Sequence, residues 1–133
     1  MFIETGTIRD KKIKITFDQQ NSIFRKEYRE DITLEEIKDS WIYCLDKDVI
    51  PNNCEGIVLD YRDARFLMNP REIFKLVDFY NNQLERLEQK RIAILTERPD
   101  QIVVPMLLSE KSKRFNIQVF TSDKAAIHWA RSN

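Results

Sequence analysis

The fold is decided by residues 56–70, GIVLDYRDARFLMNP, where an apolar strand runs into a charged segment and then a helix start. Ile57, Val58 and Leu59 form a short continuous run of β-branched and aliphatic residues, which suits a strand covered on both faces. The charges begin where that run stops. Asp60, Arg62, Asp63 and Arg65 are therefore expected in a turn at the carboxyl end of the strand, the place where open α/β sheets hold ligands. Asn69 then reads as an N-cap and Pro70 as the first helical residue, with Glu72 completing a capping box.

Downstream, Ile73, Leu76, Val77, Tyr80, Leu84 and Leu87 recur three and four apart, which predicts a long amphipathic helix. Phe74 and Phe79 fall on either side of that stripe. They either widen its apolar face or stand partly exposed, where they would serve a dimer or partner contact. RIAIL at residues 91–95 is a second buried strand and TERPD ends it. The apolar run 102–108 holds Pro105, which would kink a helix if interior and is comfortable if the helix starts near it; a third helix is expected to end around Arg114, with its start left open. Residues 117–120 are a last strand. Thr121 or Ser122 caps a final helix that packs through Ala125, Ala126, Ile127 and Trp129.

Upstream, Ile13, Ile15 and Phe17 alternate with Lys12, Lys14 and Thr16, the period of a half-buried strand. DQQNS at residues 18–22 is a turn, and residues 23–28 return. The charges Arg25, Lys26, Glu27 and Arg29 predict that part of this hairpin lies at an exposed edge. Thr33 and Glu36 form another capping box, and Leu34, Ile37, Trp41, Cys44 and Leu45 mark a helix over 34–47. The order ββαβαβαβα predicts an α/β domain over 1–133: a mixed, largely parallel sheet with a leading β-hairpin and about four helices.

The chain has 133 residues, 42% hydrophobic and 33% charged, consistent with one soluble domain. Lys plus Arg and Asp plus Glu each number 22, so no net field favours nucleic acid or an anionic membrane. The N-terminal MFIETGTIRDKK has no secretory core, and no apolar stretch approaches bilayer length, so a cytoplasmic location is expected. Cys44 and Cys54 form no CxxC and pair with no histidine at ligand spacing, which predicts reduced thiols and no metal site. Two glycines, Gly6 and Gly56, exclude a glycine-rich phosphate loop, and no cofactor is indicated.

DITLEEI at residues 31–37, VLDYRDARF at 58–66 and VFTSDKAAIHWA at 119–130 together resemble the SpoIIAA-like group of the STAS domain superfamily, over nearly the whole chain. The resemblance implies that fold and a regulatory, partner-binding role. Anti-sigma factor antagonists of that superfamily are switched by phosphorylation of a serine within a pattern like LDLSxVxFMDSSG. Laid on it, LDYRDARFLMNPR at residues 59–71 places Asn69 and Pro70 where the two serines would be. Proline accepts no phosphoryl group, and no serine lies between Ser40 and Ser109.

Two functions fit these features. One is a non-catalytic regulatory or protein-interaction module, with a protein partner or a homodimer contacting the surface around Asp60 to Glu72 and the exposed side of the second helix, flanked by Phe74 and Phe79. The other is capture of a small anion such as a phosphate, nucleotide or lipid head group. Arg62, Arg65 and Arg71 would supply guanidinium forks, with Asp60, Asp63, Asn69, Thr96 and Thr121 around them at the strand ends. His128, the single histidine, is tied by spacing to no nucleophile or carboxylate, and no catalytic residue is indicated. Lys111, Lys113 and Arg114 read as the solvated end of the third helix rather than a nucleic-acid site.

Overall fold

A computed structural model of the chain describes Gly6, Thr7 and residues 12–132. Apart from Gly6, Thr7 and Lys12, the stretch MFIETGTIRDKK lies outside them. The described chain folds as β1 (Gly6–Thr7), β2 (Ile13–Asp18), β3 (Ile23–Thr33), α1 (Leu34–Asp46), β4 (Gly56–Leu67), α2 (Pro70–Gln83), β5 (Arg91–Leu95), α3 (Val103–Lys111), β6 (Asn116–Phe120) and α4 (Asp123–Arg131). One sheet holds the strands in the order β1-β2-β3-β4-β5-β6. β1, β2 and β3 pair antiparallel, and every later pair is parallel.

That topology separates the helices. Each of α1, α2 and α3 carries the chain from one strand to its immediate parallel neighbour in the same direction across the sheet, and right-handed crossovers then place all three on one face. Their apolar sides meet the alternate residues of β3 to β6 in a large core that includes Phe24, Ile37, Trp41, Leu59, Tyr80 and Ile94. α4 turns back under the other face and closes a smaller core with Ile23, Val58, Ala93, Ala126 and Ala130.

The helix starts follow the capping chemistry. Thr33 and Asn69 each accept from the backbone N–H three residues on, and Glu36 and Glu72 accept in return from the cap's own N–H. The Ser122 hydroxyl, not Thr121, caps α4 by accepting from the Ala125 N–H. Pro105 stands in the first turn of α3, where a missing N–H costs nothing. α2 ends at Gln83, and Leu84 and Leu87 continue its buried side through a 3-10 turn.

Three expectations need correction. The charged residues Asp60, Arg62, Asp63 and Arg65 do not form a turn: β4 continues through them to Leu67, with a bulge where Asp60–Asp63 faces Glu27–Arg29, because β3 is nearly as long and pairs with it as far as Thr33–Leu67. β3 is not an exposed hairpin edge, since β2 and β4 flank it on both sides. α3 stops at Lys111, so Lys113 and Arg114 lie in the following loop, where Arg114 pairs with Glu88.

Candidate functional site

β5 ends opposite Asp60 and β6 ends opposite Leu95, so the carboxyl ends of the central strands bring Asp60, Thr96 and Thr121 into line. β3 and β4 project beyond that line. Seven more residues of β4, from Tyr61 to Leu67, extend roughly 23 Å at about 3.3 Å per residue. Asn69 and Arg71 sit past the tip of this extension, so the eight residues expected around an anion are not assembled at one place. The reason is the length of β4, which carries the start of α2 away from the ends of β5 and β6.

The arginines of the expected set are largely engaged. Arg62 donates to Asp60 through Nε at 3.1 Å and Nη2 at 2.9 Å. Arg25 reaches the same carboxylate at 2.8 Å and the Asp123 carboxylate, at the start of α4, also at 2.8 Å. Burial opposes ionisation of Asp60, but the hydrogen bonds from Arg62 and the charges of Arg25 and Arg62 outweigh it and hold the carboxyl below its usual range. Arg65 forms a bidentate pair with Asp31, its direct cross-strand neighbour, at 3.0 and 3.1 Å. Both of those side chains are exposed, so this pair adds little to stability. Asp63 and Arg71 are exposed, Thr121 likewise, and Thr96 is buried with its N–H donated to the Phe120 carbonyl.

Among the described residues no strand lies on the outer side of the projecting half of β4, and a side chain takes that place. The Gln101 amide nitrogen donates to the carbonyls of Tyr61, Arg62 and Ala64 at 2.7, 2.9 and 2.8 Å. Its oxygen accepts from the N–H groups of Glu97 and Arg98. Arg98 adds donors to the Arg62 and Ala64 carbonyls. No pattern local to residue 101 announces this role; it arises from strands of unequal length.

On the helical face, α1 and α2 enclose an open groove of about 430 Å³ lined by Lys38, Ile42, Lys75, Asp78 and Phe79 among others. Phe74 and Phe79, which flank the stripe alike in sequence, separate here. Phe79 is core at 6% exposure, with the Lys38 ammonium 6.0 Å from its ring centroid, whereas Phe74 is 50% exposed. Ile42 on α1 is 40% exposed. The capping contacts of Asn69 engage its Oδ1, which accepts from the Glu72 N–H at 2.8 Å, and its backbone N–H, which donates to Glu72, and Pro70 follows as the first helical residue.

Beneath α1 lies Lys26, expected in solvent and found fully buried. The sequence does carry the signal, because Phe24, Lys26 and Tyr28 share one phase of the strand alternation, and the other two are core residues. Cys44 and Cys54 are buried free thiols whose pKa values burial raises.

A solved structure from Shewanella loihica PV-4, an uncharacterized protein of the DUF3478 family described as having a SpoIIAA-like fold, superposes with a TM-score of 0.56. The chain has a SpoIIAA-like fold. The match covers 89% of this chain and 91% of that one at 15% identity, so it speaks to architecture alone. No protein-family model matches the chain, and no curated protein matches it. In this SpoIIAA-like sheet no helix among the described residues is long and apolar enough to cross a membrane. His128 is exposed near the end of α4.

Proposed function

We propose that the chain is a non-catalytic regulatory or protein-interaction module of the SpoIIAA-like, STAS type, acting in the cytoplasm without the phosphorylatable serine. It presents the α1–α2 face to a protein partner. The observation that carries this reading is a contrast in occupancy. Arg62 and Arg65, offered by the sequence for an anion, already hold Asp60 and Asp31, while Ile42 stays exposed in the wall of the groove and Phe74, which does not line it, stays exposed on the other flank of α2. The Asn69 capping box and Pro70 take the place of the family's serines, so a constitutive contact is favoured over a phosphorylation-controlled one.

The test is light scattering of the pure protein, combined with quantitative capture from cytosol by the wild type and by an Ile42→Asp, Phe74→Asp double variant. A homodimer or a captured partner that is lost with the double variant supports the reading. A monomer whose captured proteins are unchanged by the double variant removes the α1–α2 face from consideration. The weaker reading, a small anion at the carboxyl ends of the strands, keeps only Arg71 among its guanidinium groups free of an ion pair. Thermal melts against phosphate, nucleotides and anionic head groups test it, because a ligand of the folded state must raise the melting temperature.

A further inference from the structure

The Lys26 ammonium lies in an apolar enclosure. Its cross-strand neighbours are Ile15 on β2 and Leu59 on β4, both buried. Its nitrogen sits 3.7 Å from the Trp41 ring centroid and 5.4 Å from that of Tyr28. It has no accessible surface and, among the described residues, no hydrogen-bond partner. The titratable groups that face it are Tyr28 on its own strand and Cys44 on α1, with Tyr61 of β4 and Tyr80 of α2 behind Tyr28. Burial raises the pKa of all four, so each is uncharged at neutral pH, and Cys44 alone would favour the ammonium if it ionised. The Trp41 face returns part of the hydration a cation loses there, but a carboxylate or an acceptor would be needed to return the rest.

We propose that Lys26 couples the seating of α1 on the sheet to proton release: α1 is firmly docked when the amine is neutral and loosens when it takes up a proton. α1 is the movable part because its Trp41 and Cys44 cover the amine, whereas β3 is fixed between two strands. Lifting that lid is the short route by which the ammonium reaches water. The coupling does not depend on what the α1–α2 groove binds.

Burial lowers the folded-state pKa of Lys26 to about 7 from its ordinary value of 10.5. The folded protein therefore binds fewer protons than the open one between those values. Seating is favoured as pH rises through that window, by up to tenfold per pH unit for one proton, and is independent of this group below it.

Hydrogen exchange of the α1 and β5 amides, corrected for intrinsic chemistry, tests the proposal in the wild type and in Lys26→Met at pH 6.5, 7.5 and 8.5. The expected result is an opening constant for α1 that falls several-fold per pH unit from 7.5 to 8.5 in the wild type. It should be flat in Lys26→Met, and α1 should open at a larger constant than β5, whose exchange reports global unfolding. Titration of the Lys26 side chain by carbon-13 NMR in the unmodified protein gives a second reading, with a midpoint near neutrality. A midpoint at the ordinary lysine value, or equal α1 slopes in the two proteins, or an α1 that opens no more readily than β5, would overturn it.

Discussion

The Gln101 side-chain amide stands 2.7 Å from the carbonyl of Tyr61, forty residues away, where a neighbouring strand would otherwise pair. β5 ends opposite Asp60, yet β4 continues, and each further carbonyl on its open side needs a donor. Gln101 supplies donors to three of them from a fully buried position. Replacing it by Leu keeps the bulk and removes every one of those bonds. The expected loss is about 2–4 kcal/mol by urea denaturation: Arg98 still reaches the Arg62 and Ala64 carbonyls, but the Tyr61 carbonyl and the Glu97 and Arg98 N–H groups lose their partner, at about 1–3 kcal/mol for each that stays buried. A loss below 0.5 kcal/mol would mean the extension is held by its pairing with β3 alone.

Asp60 predicts acid sensitivity. Its folded-state pKa lies below the ordinary value of 3.8, so its contribution is fully present above that value and is lost as pH falls through the lower, folded one. Asp60→Asn should cost about 2–4 kcal/mol near neutral pH, because Arg25 stays half-buried with one carboxylate fewer. The difference from the wild type should narrow below pH 4. A gap that persists unchanged to pH 2 contradicts this account of the pair.

The two phenylalanines of α2 should diverge sharply. Phe79→Ala opens the core between α1 and α2 and is expected to cost about 3–5 kcal/mol. Phe74→Ala should stay within about 0.5 kcal/mol of the wild type. Chemical denaturation of both variants decides it, and equal losses would place Phe74 in the core as well.

Gly56 opens β4 against the end of α4. A Cβ added there would stand 2.1 Å from the Ala130 carbonyl oxygen, a backbone atom that moves only if the helix moves. Gly56→Ala is therefore expected to cost about 1–3 kcal/mol, with chemical-shift changes concentrated in residues 126–131. A neutral substitution would show that α4 shifts on the sheet without penalty.

Removing the cap of α2 gives a smaller effect. Asn69→Ala should cost about 1 kcal/mol, and Thr33→Ala about the same at α1. The two caps share no partner, so the double variant should show the sum to within about 0.5 kcal/mol in thermal or urea melts.

Much of this fold is written locally. A capping box, a proline at the first helical position and a stripe at three- and four-residue spacing act within one turn of backbone, so residues 69–83 declare α2 without help from the rest of the chain. The alternation of Ile13, Ile15 and Phe17 declares β2 in the same way. Alternating strands and helices then leave few arrangements besides a largely parallel layered sheet.

The candidate site was less legible, because charge does not by itself tell a strand from a turn. Asp60, Arg62, Asp63 and Arg65 look like a loop until β3 is seen to run beside them and Arg25, Asp31 and Asp123 are seen to meet them.

The sequence by itself determined where α1, α2 and α4 begin, which faces of the helices are apolar and that the strands pair mainly in parallel, since these depend on neighbours a few residues apart; the start of α3 at Val103, which has no side-chain cap, it left open. Only the tertiary structure decided the fates of the polar groups. It buried Lys26 under Trp41, joined Arg25 to Asp60 and Asp123, and set Gln101 against β4. The Gln101 contact depends on how far β4 extends past β5, and the other two on which helix covers each face of β3, both set by partners distant in the chain.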